Sequence, residues 1–376
     1  MTMTTDKLYY RDPYLRETEA TVTAVTDKGF LLTASVFYPE CGGQRGDSGF
    51  FGPYRIVTTE KDGEGNPLHI TDGPLPSVGD TYTLKLDWEE RFFGMVEHTA
   101  QHLLSSILYN SFGIGTVAVH HGTEEITIET DLSTIAEEKL LSVEDEAVRL
   151  IGENRRVWSE DMTHQSAEEL GMRRSIKVDD DVVKVVFIEG QDAVACGGVH
   201  LSTLGQIGEI EYIGSDTIRS HCRTYWRVGE KARDYRRENV SAVLSASALL
   251  SCDRFTLTDG VKHILDENRE LRHTLKALEK KAAENEFNSH SEECVVYPTD
   301  YELDALIEVA CSDTERKIFI TGPKNTFMYI GKKDDFNVLK SALSLRGGGR
   351  DPLFRGTFTQ STDDILCSVK NLLGSL

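Results

Sequence analysis

Residues 1 to about 88 alternate or cluster β-branched and aromatic residues in short runs. These are TEATVTAV, GFLLTAS, YRIVTT, PLHITD and TYTLKLDW, separated by the turn-forming segments DKG, GGQRGDSG, DGEGNP and DGPLPSVGD. Strands broken at this spacing predict a small antiparallel β-barrel without a helix. The pattern changes at Trp88. From Glu89 to about Asn110, Phe92, Met95, Val96, Leu103, Leu104, Ile107 and Leu108 fall on helical spacing, and Gly113 and Gly115 end the run. Strand-like EITIET, a helix from about Ser133 to Asn154, and the strands RVWSEDM, VVKVVFIEG and IGEIEYIG follow, an α+β domain closing near Gly229.

Residues 231 to about 288 read as helical, with a break at DRFTLTDG. In the second half Ile264, Asn268, Leu271, Leu275, Leu278 and Ala282 are spaced 4, 3, 4, 3, 4. That is an a/d seam with one polar position, the pattern of a short coiled coil, a helical hairpin or a helix packed on its own domain. From 292 strands and helices alternate again, ending in LRGGGRDPLFRGTF, which reads as a small α/β domain. The expected fold class is α+β multidomain. Its parts are a barrel with a glycine-rich segment at 1–88, an α+β domain at 89–230, a helical linker or coiled coil at 231–290 and an α/β domain at 291–376.

Composition narrows the classes. Of 376 residues 39% are hydrophobic and 27% charged, a chain able to form cores. No window approaches the roughly 18 uninterrupted apolar residues of a membrane span, and MTMTTDKLYYRD has no signal-peptide character. Seven scattered cysteines, an odd number, favour reduced thiols and a cytoplasmic protein over a disulfide framework. The net charge, 41 − 62 = −21, disfavours indiscriminate binding to polyanions, so any nucleic-acid contact must be local. Arg155 and Arg156 form one basic stretch, and Arg219, Arg223 and Arg227 lie in another; singly, each reads as a solvated charge.

The sharpest chemical signal is EHTAQH, where His98 and His102 stand at i and i+4 on one helix face, the separation at which two imidazoles grip one ion. About a hundred residues on, ACGGVH offers Cys196 and His200 in a glycine-rich loop after a strand. Three imidazoles and a thiolate suit one zinc ion per chain. Zinc peptidases need a glutamate after the first histidine, and Thr99 occupies that place.

HTAQHLLSSIL followed by ACGGVHLSTLGQIG resembles the paired motifs of the alanyl-tRNA editing hydrolases, free-standing relatives of the editing domain of alanyl-tRNA synthetase. FYPECGGQRGDSG resembles their glycine-rich barrel segment, and TVAVHHGTEEITIE the strand pair that closes their pocket. SLRGGGRDPLFRGTF resembles the glycine-rich signature of the synthetase's C-terminal domain. The chain is thus identified as similar to the long form of that family. Since it opens directly with the barrel, no aminoacylation domain is expected.

The resemblance implies hydrolysis of mischarged tRNA(Ala), chiefly seryl- and also glycyl-tRNA(Ala). A pocket made for alanine cannot strongly reject serine or glycine, differences worth roughly 1–3 kcal/mol, so a second site must destroy the product. His98, His102 and Cys196 are the implied zinc ligands, and His200 is either the fourth ligand or a nearby base. Three ligands leave a position open for catalysis, and four make a closed site. Thr99, Gln44 and the backbone of Gly42 and Gly43 are candidates to sense the serine hydroxyl, and His120 falls where a pocket-lining residue is expected. The implied partner is aminoacyl-tRNA(Ala), held by Arg155, Arg156, Arg219, Arg223 and Arg227, with Tyr225 or Trp226 available for stacking. The helical linker and tail are compatible with a homodimer. The competing readings are a zinc-stabilised tRNA-binding protein with a dead site, an editing hydrolase for another aminoacyl-tRNA and, last, a phosphoesterase.

Overall fold

The computed structural model describes residues 4–176, 181–313 and 315–375. The chain divides into two compact units, Met1–Ala242 and Val243–Leu376.

The first unit opens with one helical turn, α1 (Leu8–Arg11), which buries Tyr9 edge-on against Tyr38 with ring centroids 5.7 Å apart. Four residues are too few for a periodicity, so the strand-rich pattern concealed it. A seven-stranded antiparallel sheet follows. Its order is Tyr54–Ile56, Gly49–Phe51, Thr81–Leu86, Glu17–Val25, Gly29–Leu32, Pro67–Ile70 and Thr58–Lys61. Phe30, Phe37, Phe51 and Leu84 fill its core. The expected closed barrel is not made by a hydrogen-bonded ladder among the described residues. The two outermost strands are consecutive pieces of one segment, joined at Val57, and each piece pairs with a different edge. A three-residue and a four-residue piece spent on opposite edges leave no backbone to pair with one another.

Helix α2 (Trp88–Phe112) carries Glu89 and Glu90 in its first turn, where the helix dipole favours acids, and ends at Gly113 in the left-handed region, φ 66°. Every residue from Met95 to Leu108 is buried. Such a helix has no solvent face, so the polar residues in the middle of its apolar pattern must find partners inside the protein. Around it lie α3 (Glu137–Gly152), α4 (His164–Glu168) and two antiparallel sheets. One runs in the order Thr116–His121, Ile126–Thr130, His221–Val228, Ile210–Ile218; the other in the order Val157–Thr163, Val182–Ile188, Asp192–Ala195. Helix α5 (Gly229–Leu249) leaves the second strand of that outer pair, and its glycine start sits at φ 58°.

In the second unit α6 (Leu257–Asn288) is followed by a five-stranded sheet with α7 (Ile307–Ser312), α8 (Lys333–Ala342) and α9 (Thr362–Leu373). The sheet order is Cys294–Pro298, Lys317–Gly322, Thr326–Ile330, Leu353–Thr357, Arg346–Arg350; the first pair is parallel and the rest antiparallel. Together the units make a mixed α+β, multidomain chain. Among the described residues no single helix is long and apolar enough to cross a membrane.

Candidate metal centre

The middle of α2 and the loop after strand Asp192–Ala195 meet at His98, His102, Cys196 and His200. One donor atom from each lies within 4.8 Å of all the others. Cys196 Sγ is 3.4 Å from His98 Nε2 and 3.5 Å from His200 Nε2. A sulfur and a nitrogen on one tetrahedral zinc, with bonds near 2.3 and 2.0–2.1 Å, stand roughly 3.6 Å apart. The donor spacing therefore fits such an ion. The chemistry fits as well. Burial, then the neighbouring imidazoles, holds His98 and His102 well below the usual histidine range, and burial takes His200 down to about 3, so all three rings are neutral, the ligating form. Burial pushes the Cys196 thiol up to about 11, a cost that a bound cation reverses. His102 Nδ1 is buried without a hydrogen-bond partner.

The ligand atoms are aimed from outside. His98 Nδ1 faces Gln44 Oε1 at 2.9 Å, and the backbone N–H of Val199 donates to the same oxygen at 3.1 Å. An oxygen already accepting one N–H makes the His98 nitrogen the second donor, which leaves Nε2 as a bare lone pair toward Cys196. His200 Nδ1 lies 3.3 Å from Thr99 Oγ1, which also accepts the Leu201 N–H at 3.1 Å. With its proton on Nδ1, His200 presents Nε2 to the cluster as His98 does. The Gly198 N–H, 3.4 Å from Cys196 Sγ, supports the thiolate.

Gln44 is delivered by the glycine-rich segment, which a buried ion pair clamps to α2. Arg91 and Asp47 are 1% and 5% exposed. Arg91 Nε donates to Asp47 Oδ1 at 3.0 Å, while its other nitrogens donate to the carbonyls of Pro13 and Val36 at 2.9 and 2.6 Å. Asp47 also accepts the Tyr38 N–H. Gly42 and Gly43 turn at φ 62° and 90°, conformations that disfavour a side chain, and set Gly43 against Val119. Cys41 is not in the donor cluster; its sulfur accepts from Lys61 Nζ at 2.9 Å.

Two sequence assignments change. His120 is exposed, whereas His121 is 3% exposed, with its ring 5.2 Å from that of His98 and both ring nitrogens buried and unpartnered. Successive strand residues face opposite ways, so the inward histidine is the next one along. Burial takes His121 down to about 4. Trp226 cannot stack on a nucleotide. It is fully buried, and its indole N–H donates to Thr224 at 2.8 Å.

The five arginines are not brought into one patch of free charges. Arg223, Tyr225 and Arg227 alternate along one face of strand His221–Val228. Arg223 is held by Glu129, and Arg227 lies over the Tyr235 ring at 4.6 Å. Arg155 bonds Glu153 and the Glu189 carbonyl. Arg156 and Arg219 are exposed. A cavity of about 310 Å³ opens beside His200, walled by Tyr9, Tyr10, Tyr14 and Trp158, with Lys184 at its rim. A second, of about 440 Å³, lies on the Gln44 side with Arg45, Glu90 and Gly94.

No protein-family profile matches the chain. Comparison with curated proteins returns alanine–tRNA ligases. That of Saccharolobus islandicus is 26% identical over 94% of this chain and 42% of its own length. That of Methanococcus aeolicus is 24% identical over 99% of this chain and 43% of its own. That of Korarchaeum cryptofilum is 34% identical over 55% of this chain and 24% of its own. The chain spans less than half the length of these relatives.

Proposed function

We propose that this chain, a homologue of the alanine–tRNA ligases, hydrolyses the ester of wrongly acylated tRNA(Ala), chiefly seryl- and secondarily glycyl-tRNA(Ala). The observation that carries the reading is the four-donor cluster with two ring nitrogens already oriented by Gln44 and Thr99. His98, His102, Cys196 and His200 hold one zinc ion. The equal placing of the His98 and His200 Nε2 atoms about Cys196 favours His200 as fourth ligand over a free base. With all four positions filled, zinc there would fix the ligand loop and supply positive charge beside the ester rather than an open position for water. Gln44 and Thr99 act as positioning residues, since their polar atoms are turned to the histidines. That leaves His121 and the peptide groups of Gly42 and Gly43 as the groups free to meet the amino acid. A hydroxyl bonded to the buried His121 ring separates serine from alanine, because alanine leaves its nitrogens unpaired.

The residues at 1–88 and 89–230 form the barrel-like and editing parts of the site, 231–290 links them to the domain at 291–376, and the protein works in the cytoplasm on aminoacyl-tRNA(Ala). Arg156, Arg219 and the Arg223–Tyr225–Arg227 row are its tRNA contacts, with Arg155 alongside. Steep salt dependence of tRNA binding is expected despite the net charge of −21. The test is incubation of the purified, zinc-loaded protein with seryl-, glycyl- and alanyl-tRNA(Ala), with and without a chelator. Release of serine that the chelator abolishes is the expected result. Binding of tRNA without release of any amino acid points instead to a silent tRNA-binding protein.

A further inference from the structure

None of the groups assigned above to the amino acid, His121 and the peptides of Gly42 and Gly43, carries a negative charge. Yet the amino acid of an aminoacyl ester brings an ammonium with it, and a zinc ion beside the ester only repels that cation. Glu97, one residue before His98 on α2, is a carboxylate with too few partners. It is 1% exposed. Its Oε2 lies 3.3 Å from Arg45 Nη2, beyond the roughly 2.7–2.9 Å of a strong charge-assisted bond, and the Arg45 side chain is itself 41% exposed. Its Oε1 is buried with no hydrogen-bond partner among the described residues. A carboxylate withdrawn from water is costly unless its oxygens are satisfied, so the free oxygen marks a place for a donor that arrives with a ligand.

Glu97 lies in the same part of the site as His121. The ring of its neighbour His98 is 5.2 Å from that of His121. Arg45, which holds Glu97, is two residues beyond Gly43, and a Cβ on Gly43 would sit 3.7 Å from Val119 Cγ2. Val119 and His121 share one face of strand Thr116–His121. Other acceptors nearby are already used. Gln44 Oε1 accepts from His98 and from the Val199 N–H, Asp47 accepts from Arg91 and from the Tyr38 N–H, and Glu90 stands exposed. We propose that Glu97 binds the α-ammonium of the aminoacyl ester through its free oxygen, while His121 takes the serine hydroxyl on the neighbouring carbon. The pocket then selects aminoacyl esters over hydroxyacyl esters, which lack the ammonium, as well as serine over alanine.

The inference rests on the ester-hydrolase reading above, so hydrolysis and binding are measured separately. Seryl-tRNA(Ala) is compared with glyceryl-tRNA(Ala), whose acyl group differs only by a hydroxyl in place of the ammonium. The ratio of their kcat/KM values in the zinc-loaded parent, divided by the same ratio in E97Q, cancels the intrinsic lability of each ester. It should be about 10 to 100, the worth of a hydrogen bond to a charged group. E97Q should slow the seryl ester alone, with the zinc content and circular dichroism of the parent. E97D keeps the charge on a shorter stem and should retain part of the preference. R45M leaves the carboxylate in place and should retain it in full. In parallel, the seryl and glyceryl amides of 3′-amino-3′-deoxyadenosine, which have no ester to cleave, are titrated by calorimetry; the parent should bind the seryl amide more tightly and E97Q should not. A parent that cleaves neither ester but shows this Glu97-dependent preference in binding defeats the hydrolase reading and leaves the ammonium site standing. Equal losses on both esters in E97Q, the same losses in R45M as in E97Q, or a parent that binds the two amides alike overturns the proposal.

Discussion

Gln44 Oε1 accepts from His98 Nδ1 at 2.9 Å, joining a turn of the first sheet to a histidine 54 positions further along the chain. The bond fixes which nitrogen of His98 faces Cys196, so the metal affinity of the cluster depends on a residue that touches no metal. Gln44→Ala should lower zinc affinity about 10- to 100-fold in a chelator competition, the usual cost of losing an outer partner of a ligating histidine. Gln44→Glu keeps the acceptor and should recover most of it. Equal affinity in all three proteins would remove Gln44 from this role.

Gly198 is the tightest point of the ligand loop. A Cβ there would lie 2.1 Å from His98 Cε1 and 3.0 Å from Gln44 Oε1. Gly198→Ala must therefore push the His98 ring off its axis, and we expect a folded protein that has lost stoichiometric zinc by elemental analysis. At Gly197 the nearest atom to the added carbon is the Tyr10 hydroxyl at 3.8 Å, so Gly197→Ala should keep its metal and serves as the control.

His121 stands beside the cluster, buried, with two unpartnered nitrogens. A buried polar group without a partner costs about 1–3 kcal/mol, so His121→Leu should raise the denaturation midpoint. If the ring serves the substrate, the same change should lower kcat for seryl-tRNA(Ala) with zinc content unchanged. A variant that is both more stable and fully active would show that the histidine has no part in the reaction.

Much of this was legible in the chain. The spacing of Phe92 through Leu108 located α2 to within two residues at either end, and the His98–His102 pair, sharing a helix face at i and i+4, lies together in the four-donor cluster. The break expected at DRFTLTDG overlaps the interruption between Leu249 and Leu257 but runs on into the first turn of α6, and the a/d spacing read from 264 to 282 falls within that helix. What escaped depends on direction and on long-range partners. A one-residue slip in strand Thr116–His121, which contains a bulge between Thr116 and Ala118, exchanges His120 for His121. Trp226 and Tyr225 are neighbours in sequence but on opposite faces of a strand, one in the core and one beside two arginines. No local pattern could reveal that Gln44 and Thr99 are turned toward His98 and His200, or that Glu129 holds Arg223.

The clamp beneath Gln44 is a buried ion pair, and removing one member leaves the other charge without compensation. Arg91→Met should destabilise the first unit by about 3–5 kcal/mol in urea unfolding, with Asp47→Asn less severe because the amide keeps an acceptor for Arg91. Metal affinity should fall in parallel, as segment 37–47 loosens its hold on Gln44. A stable Arg91→Met protein with unaltered zinc binding would separate the clamp from the site.

Acid should weaken the first unit through a histidine far from the cluster in function. His69 is fully buried; one ring nitrogen lies 2.8 Å from Ser35 Oγ and the other 3.2 Å from the Phe30 carbonyl oxygen. Burial takes it down to about 4, against about 6.5 in an unfolded chain. As pH falls through 6.5 the unfolded chain gains a proton that the folded protein refuses, so stability is complete above that value and drains away down to about 4. The share due to His69 is about 2 kcal/mol by pH 5, at 1.36 kcal/mol per unit. The zinc-free cluster histidines act in the same sense, so the measurement must be a difference. Urea midpoints at neutral pH and at pH 5 should differ less in His69→Gln than in the parent, because the glutamine takes up no proton in either state. An identical pH dependence in the two proteins would mean that His69 is protonated in the folded barrel-like sheet after all.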